Sequence, residues 1–132
     1  MEELVNAARQ ARGKAYAPYS GFKVGAAVLT ASGRIYSGCN IENASYGLTI
    51  CAERTAIFKA VSEGEDKLLA LAVVGDTPGP TSPCGACLQV MAEFGIATVI
   101  MSNLKGKPLI VSLTELLPYS FGESDLAGGV EG

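Results

Sequence analysis

Two apolar runs constrain the fold most. Leu68 to Val74 is almost continuously hydrophobic, and Ile96 to Met101 repeats the pattern after a short intervening segment. Each is too short for a helix of ordinary length and has no polar face, so each reads as a strand buried on both sides. A sheet with strands of this kind needs helices on both of its faces. The rest of the chain supplies them. Residues 2–15 read as a helix with an apolar stripe of Leu4, Ala8, Ala11 and Ala15. Residues 51–62 read as a second helix, with Ala52, Ala56, Phe58 and Val61 among its helix-compatible residues and Gly64 just past its end. A short third helix spans about 85–94, closed by Gly95. Phe22–Leu29 and Arg34–Cys39 flank Ala31-Ser32-Gly33 and read as a hairpin. Leu109–Leu113 is a last strand, followed by a helical turn at Thr114–Leu117 and a Gly-rich tail carrying Tyr119, Phe121 and Leu126. No internal repeat divides the chain. The expectation is one three-layer α/β/α domain over residues 1–132.

The 132 residues carry a formal net charge of −3, and Lys and Arg are scattered. Polynucleotides are bound through clustered positive charge, so a nucleic acid polymer is not an expected ligand. No run of about 18 apolar residues is present, so no membrane helix is expected. Met1-Glu2-Glu3 does not resemble a signal peptide, and a cytoplasmic location follows as an expectation. In that compartment thiols stay reduced, so four cysteines point to metal or chemistry before disulfides. Histidine is absent, which leaves Cys, Asp, Glu, Lys and Tyr as ligands or bases.

Three of those cysteines stand at expected helix starts. Cys51-Ala52-Glu53 opens one helix and Pro83-Cys84-Gly85-Ala86-Cys87 opens the next, with the Leu68–Val74 strand between them. A helix N-terminus presents free N–H groups and a partial positive charge, and both favour thiolate over thiol. Cys84 and Cys87 share one side of their helix start. Three sulfurs would then converge and leave a fourth tetrahedral position open, the mark of a catalytic zinc rather than a structural one. Glu53 lies two residues after Cys51, and within a regular helix the two side chains point about 200° apart. Both can approach one metal only if it sits beyond the helix end. Glu53 is then beside the open position without being a ligand, where a general base can take a proton from a zinc-bound water. Arg54 shares the face of Cys51, and its guanidinium would offset the charge of three thiolates. Taken alone, the CxxC is equally compatible with a redox pair or half of a structural zinc knuckle. Cys39, at the end of the pattern Ile35, Ser37, Cys39, reads as a small buried hydrophobe; as a fourth ligand it would close the zinc site.

These blocks resemble the small homotetrameric, zinc-dependent cytidine deaminases over nearly the full length. The residues that carry the resemblance are Ala17-Pro18-Tyr19-Ser20, Phe22-Lys23-Val24-Gly25-Ala26-Ala27, Gly38-Cys39-Asn40-Ile41-Glu42-Asn43, Cys51-Ala52-Glu53-Arg54-Thr55-Ala56 and Ser82-Pro83-Cys84-Gly85-Ala86-Cys87. The resemblance implies a mixed central sheet of about five strands. It implies one Zn(II) per subunit on Cys51, Cys84 and Cys87, with Glu53 as proton shuttle. Asn40 and Glu42 would bind the ribose, Phe22 would stack on the pyrimidine, and the Ala52 N–H would meet the base carbonyl. Phe121 would reach a neighbouring subunit's site, with the tail from about residue 118 contributing to contacts between subunits. The implied reaction is hydrolysis of cytidine and 2′-deoxycytidine to uridine products and ammonia, in pyrimidine salvage. In it, hydroxide on zinc would attack the ring carbon that bears the amine. Members of this family commonly carry Arg directly after the last zinc cysteine; here that residue is Leu88. The Asn40–Glu42 pair separates the chain from the blasticidin-type deaminases.

Overall fold

The structure is a computed structural model and describes residues 1–128. Its elements are α1 (Glu2–Arg12), β1 (Val24–Thr30), β2 (Ile35–Cys39), α2 (Ala52–Ser62), β3 (Leu68–Gly75), α3 (Gly85–Glu93), β4 (Thr98–Asn103), β5 (Leu109–Ser112), α4 (Leu113–Leu116) and α5 (Glu123–Gly128). The strands form one mixed five-stranded sheet in the order β2-β1-β3-β4-β5. The β3–β4 pair is parallel and its crossover carries α3; the other neighbours are antiparallel.

The two apolar runs become the two central parallel strands, and alternation of their side chains divides the core in two. Leu71, Val73, Val99 and Met101 point to the face covered by α2 and α3, where Ala56, Ile57, Leu88 and Met91 meet them. Ala72, Val74 and Ile100 point to the opposite face, covered by Leu4, Val5 and Ala8 of α1. The three-layer expectation holds for this reason. Glycine sets how closely the layers approach. A Cβ at Gly25 in β1 would lie 1.9 Å from the Ala8 carbonyl oxygen, and one at Gly38 in β2 would lie 2.7 Å from the Ala56 nitrogen.

Several boundaries differ from the sequence reading. Helix α1 stops at Arg12 rather than residue 15, because Gly13, Lys14 and Ala15 donate to the carbonyls three residues back and tighten the chain out of the α-helix. Ala15 therefore leaves the buried stripe, and Val5 joins it. Strand β1 begins at Val24 rather than Phe22, because the Phe22 and Lys23 carbonyls are taken by the side chains of Asn40 and Arg12. Ile96 closes α3 instead of opening β4: Gly95 turns with φ +71° and the Ile96 N–H donates to the Met91 carbonyl. Phe58 is 43% exposed, and the buried line of α2 is Ala52, Glu53, Ala56, Ile57 and Ala60. The Gly-rich tail carries the short helix α5; Gly122 and Asp125 exchange hydrogen bonds across its start.

Candidate active site

Strands β2, β3 and β4 end, and β1 begins, at the same end of the sheet, since Gly25 pairs with Cys39, Val24 with Gly75, and Gly75 with Asn103. Beyond the carboxyl ends of parallel strands, helix starts and loops gather around a crevice. Here those starts are Cys51 and Cys84, the N-cap residues of α2 and α3, both in extended backbone and neither using its side chain to cap the helix. Cys87 is one turn into α3 and fully buried.

The cysteine sulfurs of residues 51, 84 and 87 lie within 4.8 Å of one another. Cys51 Sγ is 3.8 Å from Cys84 Sγ, which is 3.5 Å from Cys87 Sγ. A tetrahedral zinc with Zn–S bonds of about 2.3 Å holds its sulfurs about 3.8 Å apart, so this donor set fits that ion. It comprises three soft sulfur donors and among the described residues no fourth cysteine joins it. Cys39 is not part of it. It sits on the edge strand and is only half-buried, lining a separate 320 Å³ hollow with Ser37, Lys14 and Lys59, so its expected place as a buried hydrophobe is corrected.

Arg54 donates from Nη2 to Cys51 Sγ at 3.5 Å. The neighbouring Cys87 thiol, with Arg54 and Cys84, brings the Cys51 thiol down to about 5, which makes it the thiolate of the pair. Cys87 moves upward because it donates to that sulfur and is buried. Glu53, second residue of α2, is 4% exposed; burial pushes its carboxyl up to about 7, with the Cys51 charge adding to the effect. A carboxyl near 7 both accepts and returns a proton around neutral pH. The remaining position, Leu88, is 8% exposed and packs in the larger core.

A cavity of about 210 Å³ opens onto this cluster. Phe22, Asn40, Cys51, Ala52, Glu53 and Cys84 all line it. Val24, Thr49, Ile50, Thr81 and Ser82 complete the wall; the sequence reading assigns none of them a role, although Val24 and Ser82 stand in the blocks that carry the resemblance. Thr81 and Ser82 directly precede Pro83-Cys84, so proximity to a ligand could have flagged them. Asn40 is largely buried and already pins the approach to β1: its Oδ1 accepts from Val24 N at 2.9 Å and its Nδ2 donates to Phe22 O at 2.8 Å. Each of these atoms retains capacity for one further bond.

Glu42 stands apart from Asn40. It lines an adjoining hollow of about 430 Å³ with Tyr19, Ser20, Asn43, Tyr46 and Thr49, and Thr49 borders both spaces. Its carboxylate accepts from the Tyr19 and Ser20 backbone N–H groups and from the Ser20 hydroxyl. The segment between the two residues is shaped by Ile41, which exchanges backbone hydrogen bonds with Ile50, and by an Asn43 side chain that accepts from Ser45 N. Phe121 is 57% exposed, lies outside this chain's cavity, and has its carbonyl held by Gln89 Nε2 at 2.8 Å.

Comparison with known proteins shows the family. Residues 1–103 match the family model described as the cytidine and deoxycytidylate deaminase zinc-binding region. The chain is 53% identical to a cytidine deaminase of Sporosarcina psychrophila, over 99% of this chain and 98% of that one. It is 54% identical to one of Halalkalibacterium halodurans, over 93% and 95%. Its fold superposes on the crystal structure of a cytidine deaminase from Burkholderia pseudomallei with a TM-score of 0.87 at 52% identity, covering 91% of this chain and 98% of that one.

Proposed function

We propose that this chain, which belongs to the cytidine and deoxycytidylate deaminase zinc-binding family, hydrolyses cytidine and 2′-deoxycytidine to uridine and 2′-deoxyuridine with release of ammonia. The observation that carries this reading is the convergence of three sulfurs, two of them on the wall of one small cavity, with the buried Glu53 carboxyl on the same wall. Cys51, Cys84 and Cys87 would hold one zinc, which when bound acidifies water and stabilises developing negative charge.

The remaining steps fall to the chain's own residues. Glu53 takes one proton from the attacking water and gives it to ring nitrogen 3 of the pyrimidine. It then carries the water's second proton to the exocyclic amine, which leaves as ammonia. Phe22 presents its ring to the pyrimidine. The Ala52 N–H, at the first position of α2, is free of an intrahelical partner and suits the base carbonyl. Asn40, with its spare donor and acceptor, and Glu42 at the edge of the adjoining hollow would bind the ribose hydroxyls. Arg54 draws density from the Cys51 sulfur and keeps the site acidic in place of an arginine at Leu88.

The reading extends to a cytoplasmic homotetramer of single-domain subunits that binds a nucleoside and neither polymer nor membrane. Among the described residues no helix is long and apolar enough to cross a membrane. The tail from about residue 118, with the exposed Phe121, would lie at a neighbouring subunit's site; residues 129–132 fall outside the described residues.

Glu53→Gln tests the mechanism. The variant should keep its zinc and lose turnover by at least about 10²–10⁴-fold, the range of general acid–base catalysis. Wild-type rates with full zinc content would overturn the assignment. An absorbance assay on cytidine, deoxycytidine and cytosine, with metal analysis of the same sample, tests substrate and cofactor together.

A further inference from the structure

Two of the three sulfurs, those of Cys84 and Cys87, follow a segment with little regular structure. Residues 76–84 leave β3 and enter α3 through Pro78, Gly79, Pro80 and Pro83, and prolines have no N–H with which to be pinned. Yet Cys84 must arrive within 3.8 Å of Cys51. We infer that Asn103, the last residue of β4, is a positioning residue for the Cys84–Cys87 arm of the metal site.

Asn103 is 9% exposed and uses its whole amide. Nδ2 donates to the carbonyls of Thr77 (3.0 Å) and Pro78 (3.2 Å). Oδ1 accepts from the N–H groups of Lys105 (3.2 Å) and Gly106. Two donors and two acceptors on so short a stem are available only from asparagine. The link continues toward the site. Thr77 Oγ1 donates to the Gly79 carbonyl at 2.6 Å and meets Thr81 Oγ1 at 2.8 Å. Thr81 N in turn donates to Ser102 O at 3.0 Å. Thr81 borders the cavity, and its chain continues through Ser82-Pro83 into Cys84. The rigid end of a central strand therefore sets the path of the prolyl segment, and that path sets where two ligands stand. The inference rests on Cys84 and Cys87 being ligands.

Zinc-release kinetics into a chromogenic chelator test it, on purified holoenzyme, alongside the sulfur-to-metal absorption of the cobalt-substituted protein. Asn103→Ala and Asn103→Asp both lose the donor to the Thr77 side. Both should release zinc roughly tenfold faster, or more, than Leu4→Ala, measured equally far below each protein's Tm, and should shift the cobalt spectrum. Leu4→Ala weakens the core on the α1 face and controls for simple loss of stability. Release no faster than in Leu4→Ala, with an unchanged cobalt spectrum, would overturn the inference. If the Asn103 variants do not fold, Thr77→Val, which keeps the carbonyl that Asn103 holds but cuts the hydroxyl link onward to Thr81, carries the comparison: release no faster than in Leu4→Ala with an unchanged cobalt spectrum would overturn the proposed path from Asn103 to Cys84. A wild-type protein without zinc, or a Cys84→Ser variant that releases zinc at the wild-type rate, would instead sink the ligand assignment on which the inference stands.

Discussion

Arg54 Nη2 lies 3.5 Å from Cys51 Sγ, one turn back across the start of α2. The guanidinium therefore acts on a ligand that is itself the N-cap of the same helix, where the first N–H groups already favour negative charge. Arg54→Ala should raise the Cys51 thiol from about 5 toward the ordinary thiol range, read as thiolate absorbance against pH in metal-free protein. Arg54→Lys should recover only part of the effect, because an ammonium offers a point charge without the planar fork. An unshifted titration in Arg54→Ala would show that the neighbouring thiols alone hold Cys51 down.

The raised carboxyl of Glu53 has a consequence for stability. Its folded value is about 7, against 4.5 when unfolded, so folding favours its protonated form. Such a group stabilises the fold fully at low pH and loses that contribution as pH rises through the folded value. Metal-free protein should therefore lose stability between about pH 4.5 and 7 relative to Glu53→Gln, by about 3 kcal/mol. Urea unfolding of both proteins across that range measures the difference, and equal profiles would exclude the burial argument.

Glu42 behaves in the opposite sense. Its hydrogen bond from the Ser20 hydroxyl, joined by the Ser20 and Tyr19 N–H groups, lowers its carboxyl below the usual value. The stabilisation is present above the unfolded value and disappears as pH falls through the folded one. Glu42→Gln should speed hydrogen exchange at the Tyr19 and Ser20 amides and raise KM more than it lowers kcat. Unchanged exchange would mean that the loop is held by other contacts.

What could be read from sequence followed from patterns that are local along the chain. The central strands were visible because Leu68–Val74 and Ile96–Met101 lack a polar face, and the sulfur cluster because two helix starts flank one of them. Features set by long-range hydrogen bonds stayed hidden. Asn40 and Glu42 are two residues apart, yet one faces the sulfur cavity and the other an adjoining hollow, because Ile41 is pinned to Ile50 between them. Nothing in the sequence marks Asn103 as the residue that holds the Thr77 and Pro78 carbonyls, since the approach of that loop to the end of β4 depends on the finished sheet. Cys39 misled because alternation along a strand does not say whether the strand is central or at an edge.

Gly38 offers a test of how tightly the sheet sets the site. Its missing side chain lets β2 press against the first turn of α2: an added Cβ would lie 2.7 Å from the Ala56 nitrogen and 2.8 Å from Thr55 Cβ. The nearest obstacle is backbone, so the helix itself would have to move. That helix begins at Cys51, whose carbonyl is bound by Thr55 Oγ1 at 3.2 Å, and carries Glu53. Gly38→Ala should therefore cost about 1–3 kcal/mol by overpacking and also lower kcat in the protein that remains folded. Gly47→Ala is the matched control, because a Cβ there meets nothing within 4 Å and its backbone is not left-handed. Thermal unfolding and steady-state kinetics on both variants separate the two effects. If Gly38→Ala lowers Tm yet leaves kcat at the Gly47→Ala level, the start of α2 is held by the cysteine cluster rather than by its packing against β2.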